Sequence, residues 1–193
     1  KYNVVSVRPE IVDPETTSIL LTSNVKYNEQ TTAKTSDTLK ANIISTLSNY
    51  NTNTLTQFDG VFRYSKIIGL IDNTDTSIVS NITTLKIRKE FTPTIGVSTR
   101  YDVYYRNSLY NPHSGHNANA GGILTSTGFK IDGDTSTIFF LDDDGQGNVR
   151  RYSLSGSTRV YANSTQGTIN YATGQVTINS LNVSVVENIR GAA

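Results

Sequence analysis

The chain has 193 residues, 17 lysines and arginines against 16 acidic residues, a formal net charge of +1, and neither cysteine nor methionine. That length can bury a core unaided, the missing cysteine excludes disulfide scaffolds and cysteine metal sites, and the near-neutral charge gives no long-range attraction to a polyanion such as nucleic acid. No stretch approaches a membrane span and the N-terminus has no signal-peptide apolar segment, so no membrane partner is expected.

In chain order, Val4–Arg8 reads as a short strand ended by Pro9, and Pro14 with the polar run after it as a turn. Ile19, Leu21, Val25 and Tyr27 mark a longer strand around Ser18–Tyr27, with an alternation imperfect enough to accommodate a bulge. Ser36 is expected to cap a helix running to about Tyr50, with Asp37 near the positive end of its dipole. Leu39, Ile43, Leu47 and Tyr50 form one apolar stripe with Ile44 beside it, and the asparagine-rich stretch Asn49–Asn53 should end the helix. Tyr64, Ile67, Ile68 and Ile71 indicate a second, shorter helix closed by Asp72–Asn73. From Ile82 to Phe91 alternation returns, with Leu85 and Ile87 on the expected core face and Ile82, Thr84, Lys86 and Arg88 opposite.

Beyond Pro93 the pattern is strands and turns. Strands are expected at Arg100–Tyr105, in a small hairpin of Gly122–Ser126 with Gly128–Asp132, and in a second hairpin of Thr137–Leu141 with Asn148–Leu154 joined by DDDGQGN. Tyr110–Gly122 reads as a loop. Arg159–Ala162 adds a strand and Leu181–Val186 closes the series. Between them, Gly167–Asn179 (GTINYATGQVTIN) reads as a hairpin turning at Thr173–Gly174. A two-residue turn sets Ile169 opposite Ile178 and Tyr171 opposite Val176, with all four on one face. The expected fold class is α+β: an N-terminal two-layer α/β unit, 1–92, followed by a mostly antiparallel β module, 93–193, of small sandwich or barrel-like form. The opening at Lys1 reads as a fragment or a processed chain, and Ile189–Ala193 as a frayed end or a second cut.

Chemistry is sparse by comparison. Asp142, Asp144, Gln146 and Gly147 resemble the first half of a calcium loop, but Ser153 stands where that loop needs a bidentate carboxylate, so a hairpin turn with capping aspartates is the preferred reading. His113 and His116 are the only histidines. No cysteine or adjacent acidic residue supplies a third ligand, no GxSxG elbow accompanies them, and they read as surface histidines. Two carboxylates brought together by folding would suffice for glycosidase chemistry, the third-ranked reading. The basic runs Lys86, Arg88, Lys89 and Arg150, Arg151 have acidic neighbours and suggest local pairing or a protein interface. GGILTSTG lacks the lysine and the spacing of a phosphate loop. The sequons at Asn81, Asn163 and Asn182 arise easily in a chain in which serine, threonine and asparagine make up about a third of the residues. No catalytic, cofactor-binding or metal-binding residue is assigned.

The run DTLKANIISTLSNYNTNTLTQFDGVFRYSKIIGLIDNTDTSIVSNITTLKIRK, Asp37–Lys89, resembles the baseplate wedge proteins of T4-like contractile-tailed bacteriophages, in particular the C-terminal, baseplate J-like part of a wedge subunit. The resemblance rests on the order of the capped helix, the turn at Gln57–Gly60, the YSKIIGLID step and the returning strand. It continues through Phe91–Pro93, YYRN at Tyr104–Asn107 and GTINYATGQVTIN. It implies a structural virion protein of the tail baseplate, assembled in the host cytoplasm, without enzymatic activity or cofactor. Copies would pair as a homodimer and build into a ring around the tail hub that changes diameter on contraction, with other wedge proteins as partners. Some of Tyr101, Tyr104, Tyr105 and Tyr110 are expected to serve as interface anchors and the others to join the core, with the division between them left open. The alternative is a carbohydrate- or receptor-binding β module of a phage fibre or surface adhesin, favoured by the tyrosine and asparagine content and the DDDGQGN loop.

Overall fold

The computed structural model describes residues 16–57, 59–116 and 122–187. The expected strand at Val4–Arg8, the turn at Pro14 and the C-terminal Ile189–Ala193 lie outside the described residues. The fold is α+β, an N-terminal α/β region followed by a mostly antiparallel sheet module. The chain forms two compact units, Ser18–Arg88 and the part from Lys89 onward, with Thr16 and Thr17 grouped with the latter.

In the first unit, β1 (Ser18–Tyr27) pairs antiparallel with β2 (Ile78–Arg88, beginning and ending earlier than the expected Ile82–Phe91), from Ser18 opposite Arg88 to Lys26 opposite Ser80, with one irregularity, between Lys26 and Tyr27. Alternation puts Leu21, Ser23 and Val25 on the inner face with Thr83 and Ile87, and turns Leu20, Thr22, Ile82, Thr84, Lys86 and Arg88 outward. Leu85 shares the inner parity but stays 38% exposed, so the core face narrows towards that end.

Helix α1 (Ser36–Tyr50) has Thr35 as its N-cap, its hydroxyl accepting from the Thr38 N–H at 3.3 Å; the cap is one residue earlier than Ser36. Thr35 has the extended backbone (ψ 160°) that a cap requires, and Ser36 is already helical. Asn49–Asn53 does not end the helix. The backbone widens into a π-helical turn, Asn51–Leu55, closed by Thr56 N–H on the Asn51 carbonyl at 3.0 Å. Two side chains support this continuation from outside, the Thr56 hydroxyl and the Gln57 amide both donating to the Thr52 carbonyl, at 2.8 and 3.1 Å.

Helix α2 (Tyr64–Asp72) presents Ile67 and Ile71, four residues apart, to Ile43 of α1 in a core joined by Leu21, Val25, Leu47, Tyr50, Phe62 and Ile78. Polar ties fasten the helix to β2: the Tyr64 hydroxyl donates to the Thr83 carbonyl at 2.6 Å, and the Asn81 amide to Asp72 Oδ1 at 2.6 Å. Asp75, in the turn between α2 and β2, accepts from Lys34 at 2.6 Å and from Ser77. Those bonds, the Lys34 ammonium first, hold its carboxyl far below the usual range.

In the second unit one antiparallel sheet holds seven strands in the order β3-β8-β7-β6-β5-β4-β9: β3 (Thr99–Tyr104), β4 (Phe129–Ile131), β5 (Asp134–Asp143), β6 (Asn148–Ser155), β7 (Thr158–Asn170), β8 (Gln175–Leu181) and β9 (Val183–Val186). The sheet curls. β8 lies second from one end, yet a single residue, Asn182, separates it from β9 at the other. Ser180, at φ +47°, takes the bend, and Ile95, just before β3, bridges Val183 while Gly96 N–H bonds the Val183 carbonyl at 2.9 Å. The concave side packs Phe129, Phe139, Leu141, Val149, Ile169, Val176, Ile178, Leu181 and Val183 into one core.

Four expectations change in detail. The segment before Gly128 does not form a hairpin strand; Thr125 makes one bridge to Asp142, and β4 pairs instead with β5 and β9. Arg159–Ala162 and the hairpin arm from Gly167 are one bulged strand, β7. The stretch Leu181–Val186 is broken at Asn182 by the sheet corner. The β7–β8 turn spans Tyr171–Gly174, so Ile169 faces Val176 and Gly167 faces Ile178. Asn170 decides this register: its Oδ1 accepts from the N–H groups of Ala172 and Thr173, and its carbonyl from Gly174 at 2.8 Å. The slip is two residues, so Ile169, Val176 and Ile178 keep the core face while Tyr171 moves into the turn. Opposite Ile178 only glycine fits, because a side chain at Gly167 would meet the Thr177 carbonyl.

Ile71 is fully buried and Leu47 only half-buried. Chemical denaturation is therefore expected to give a loss of roughly 2–5 kcal/mol for Ile71→Ala and a distinctly smaller one for Leu47→Ala. Equal losses would contradict the packing order of the two-helix core.

Candidate functional site

The densest polar chemistry lies where β5 ends. Asp142 and Asp143 are the last residues of that strand, so the seven-residue loop expected from DDDGQGN shrinks to Asp144–Gly147. Asp143 sits opposite Val149 and Asp142 opposite Arg150. Successive strand residues face opposite ways, so the two carboxylates are buried on different faces, at 0% and 1% exposure.

On the convex face, Asp142 Oδ1 accepts from Arg150 Nε at 2.9 Å, and Oδ2 accepts from Arg159 at 2.6 Å and the Tyr161 hydroxyl at 3.0 Å. The guanidinium of Arg150 lies 4.3 Å from the Tyr161 ring centre, and that of Arg159 lies 4.7 Å from Tyr152. Tyr152 in turn stacks on Phe140 at 5.6 Å. Alternating cations and rings thus cover the carboxylate with side chains of the same face. Burial and then the Asp142 carboxylate push the Tyr161 hydroxyl above its ordinary value.

On the concave face, Asp143 Oδ1 accepts from Leu124 N–H at 2.7 Å, and Oδ2 from Gly145 N–H at 3.3 Å and the Tyr171 hydroxyl at 2.6 Å. One carboxylate therefore fixes three loops. Burial, then Asp143, raises the Tyr171 hydroxyl well above its ordinary range. Asp144 closes the turn, accepting from the N–H groups of Gln146 and Asn148 and from the Asn148 amide at 2.6 Å. Burial would raise the Asp144 carboxyl, but the Asn148 and Gln146 bonds outweigh it and hold it low.

The calcium-loop residues are thus committed to the fold: the oxygens of all three carboxylates already accept protein donors, and Ser153 faces Phe139 in mid-strand. Among the described residues no group of three or more His, Cys, Asp or Glu is placed to hold a metal ion. His113 Nε2 and His116 Nδ1 do come together, 3.1 Å apart. The basic run Arg150–Arg151 splits across the sheet, Arg150 to Asp142 and Arg151 to within 5.2 Å of the Phe139 ring centre on the core side. Of the four tyrosines offered as anchors, Tyr101 and Tyr105 pack against the core, while Tyr104 and Tyr110 are 41% and 69% exposed. Sequence reading missed the Asp142 cluster. Its first contact, Asp142 with Arg150, follows from centring the hairpin on Asp144–Gly147; Arg159 and Tyr161 require the β6–β7 register, which bulges shift.

Elsewhere the first unit has an open depression beside Tyr50, Asp59, Arg63 and Lys66, and exposed apolar surface. Among the described residues β1 and β2 have no further strand partner. Ile44, Val61, Val79 and Ile82 are more than half exposed.

Residues 16–90 match the family model described as Baseplate structural protein gp6, C-terminal domain III. The matched stretch contains β1, α1, α2 and β2 and nearly coincides with the first compact unit. It is similar to a baseplate structural domain. No curated protein matches the chain.

Asp142→Ala is expected to cost roughly 3–5 kcal/mol, towards the lower value because Arg159 retains contact with water, as read by urea denaturation. A loss under about 1 kcal/mol would mean that the two guanidiniums do not depend on it. Thermal melts in excess calcium and in chelator are expected to coincide, because the turn's carboxylates have donors from the chain itself. A chelator-dependent drop in midpoint would restore the calcium loop, since an ion bound to the native state stabilises it by mass action.

Proposed function

We propose that the protein is a structural subunit of a bacteriophage tail baseplate wedge. Copies pair as a homodimer, join further copies into a ring around the tail hub and contact other wedge proteins. The ring takes part in the rearrangement that triggers sheath contraction. The observation that carries this reading is the match of residues 16–90 to a baseplate structural domain over a segment that folds as a unit of its own. The wedge position, the J-like character and the virion location go beyond the matched description and form part of the proposal.

The surface suits a protein that works by contact. A ring strut needs exposed backbone edges and side chains that lose solvent on assembly. The outer edges of β1 and β2, unpaired among the described residues, and the exposed Ile44, Val79 and Ile82 offer the first unit such surface. Tyr104 and Tyr110 are the tyrosines available as anchors on the second. The titratable groups gathered at Asp142–Asp144 hold strands and turns together, which favours a structural role over an enzymatic one.

A two-fold interface is self-complementary, and a durable one buries well above about 1,000 Å² in total. Analytical ultracentrifugation over a wide concentration range is expected to detect a dimer. A strict monomer at high concentration would sink the pairing. A stable trimer would instead favour the fibre or adhesin reading.

A further inference from the structure

We propose that His113 and His116 form a two-histidine clamp for a borderline transition-metal dication of the zinc class, with water completing its coordination. The two ring nitrogens that face each other, His113 Nε2 and His116 Nδ1, are 3.1 Å apart, and the rings are nearly perpendicular at 85°. Zinc–imidazole bonds are about 2.0–2.1 Å long. Two such bonds spanning 3.1 Å enclose roughly 100°, between the octahedral and tetrahedral angles.

The tautomers fit as well. His113 Nδ1 lies 3.2 Å from the Ser114 carbonyl, an arrangement in which Nδ1–H donates and Nε2 keeps its lone pair. Metal-bound histidines are oriented by this kind of bond from the second ring nitrogen to a carbonyl. Without an ion, His116 Nδ1–H donates to His113 Nε2. When an ion binds, that proton moves to His116 Nε2, and the two rings turn from the line of their hydrogen bond so that both lone pairs converge on an ion to one side of it.

The backbone between the two rings is pre-set. His116 N–H donates to the His113 carbonyl at 3.0 Å, Gly115 N–H to the Gly145 carbonyl at 2.9 Å, and the Asn111 amide to that same carbonyl at 3.3 Å. Gly145, at φ +73°, has no room for a side chain because the His116 carbonyl occupies that space. The pair therefore rests on the turn between β5 and β6, with Tyr110 packed edge-on to His116 at 5.4 Å. His113 is exposed, so an ion reaches the clamp from solvent. Imidazole donors select zinc, nickel and copper over calcium and magnesium.

The test is calorimetric titration of the full chain, stripped with chelator, with zinc chloride. Saturable binding at no more than one ion per chain is expected, weakened by more than about tenfold in both His113→Ala and His116→Ala. Because both residues lie in a surface loop, the variants' thermal melts should match the parent's. In nuclear magnetic resonance spectra the imidazole C–H signals of both residues should shift together with zinc and stay in place with calcium. Absence of zinc heat, or variants that bind as tightly as the parent, would overturn the proposal.

Discussion

A carboxylate inside a β-sheet is tolerated only where donors already point at it, and two consecutive aspartates impose that condition on both faces of β5 at once. Asp142 draws Arg150, Arg159 and Tyr161 onto the convex face, tying β5 to β6 and β7. Asp143 draws the Leu124 N–H, the Gly145 N–H and the Tyr171 hydroxyl inward, tying β5 to one loop and two turns. The strands around them owe their register to ladder bonds and apolar packing. Their ends owe their positions to these two side chains.

The same arrangement shapes what the surface can do. A convex sheet face normally needs a second layer or a polar coat. Here the coat is a cation–aromatic zipper in which Arg150 and Arg159 cover Tyr161 and Tyr152, so the rings have guanidiniums against them. Tyr152 is almost fully buried even though it belongs to the outer face. Tyr104 and Tyr110 lie outside the zipper and stay exposed.

The two units solve the burial problem differently. The first has a two-stranded ribbon, which alone would be marginal, and makes a core by laying Ile43, Ile67 and Ile71 of two helices on it. The second curls one sheet until β9 lies beside β4, and fills the inside with side chains from its own strands. The baseplate resemblance read from the sequence runs on from Asp37–Lys89 through GTINYATGQVTIN, whereas the family match, residues 16–90, covers the first solution alone.

The local elements were determined by the sequence: β1 and both helices follow from apolar spacing alone, because periodicity is a property of neighbouring residues. The face of each strand was also readable, and the two-residue slip in the Gly167–Asn179 hairpin left it intact because side chains alternate with period two. Tertiary structure decided what depends on distant partners. The cap moved to Thr35 and the helix end became a π turn through backbone geometry that composition does not encode. β4 found β5 and β9 in place of its sequence neighbour, and the sheet closed through a bend at Ser180 and Asn182. The triple aspartate was visible as charge. Its division between two faces was set by where β5 stopped, and the donors that satisfy it come from as far away as Tyr171.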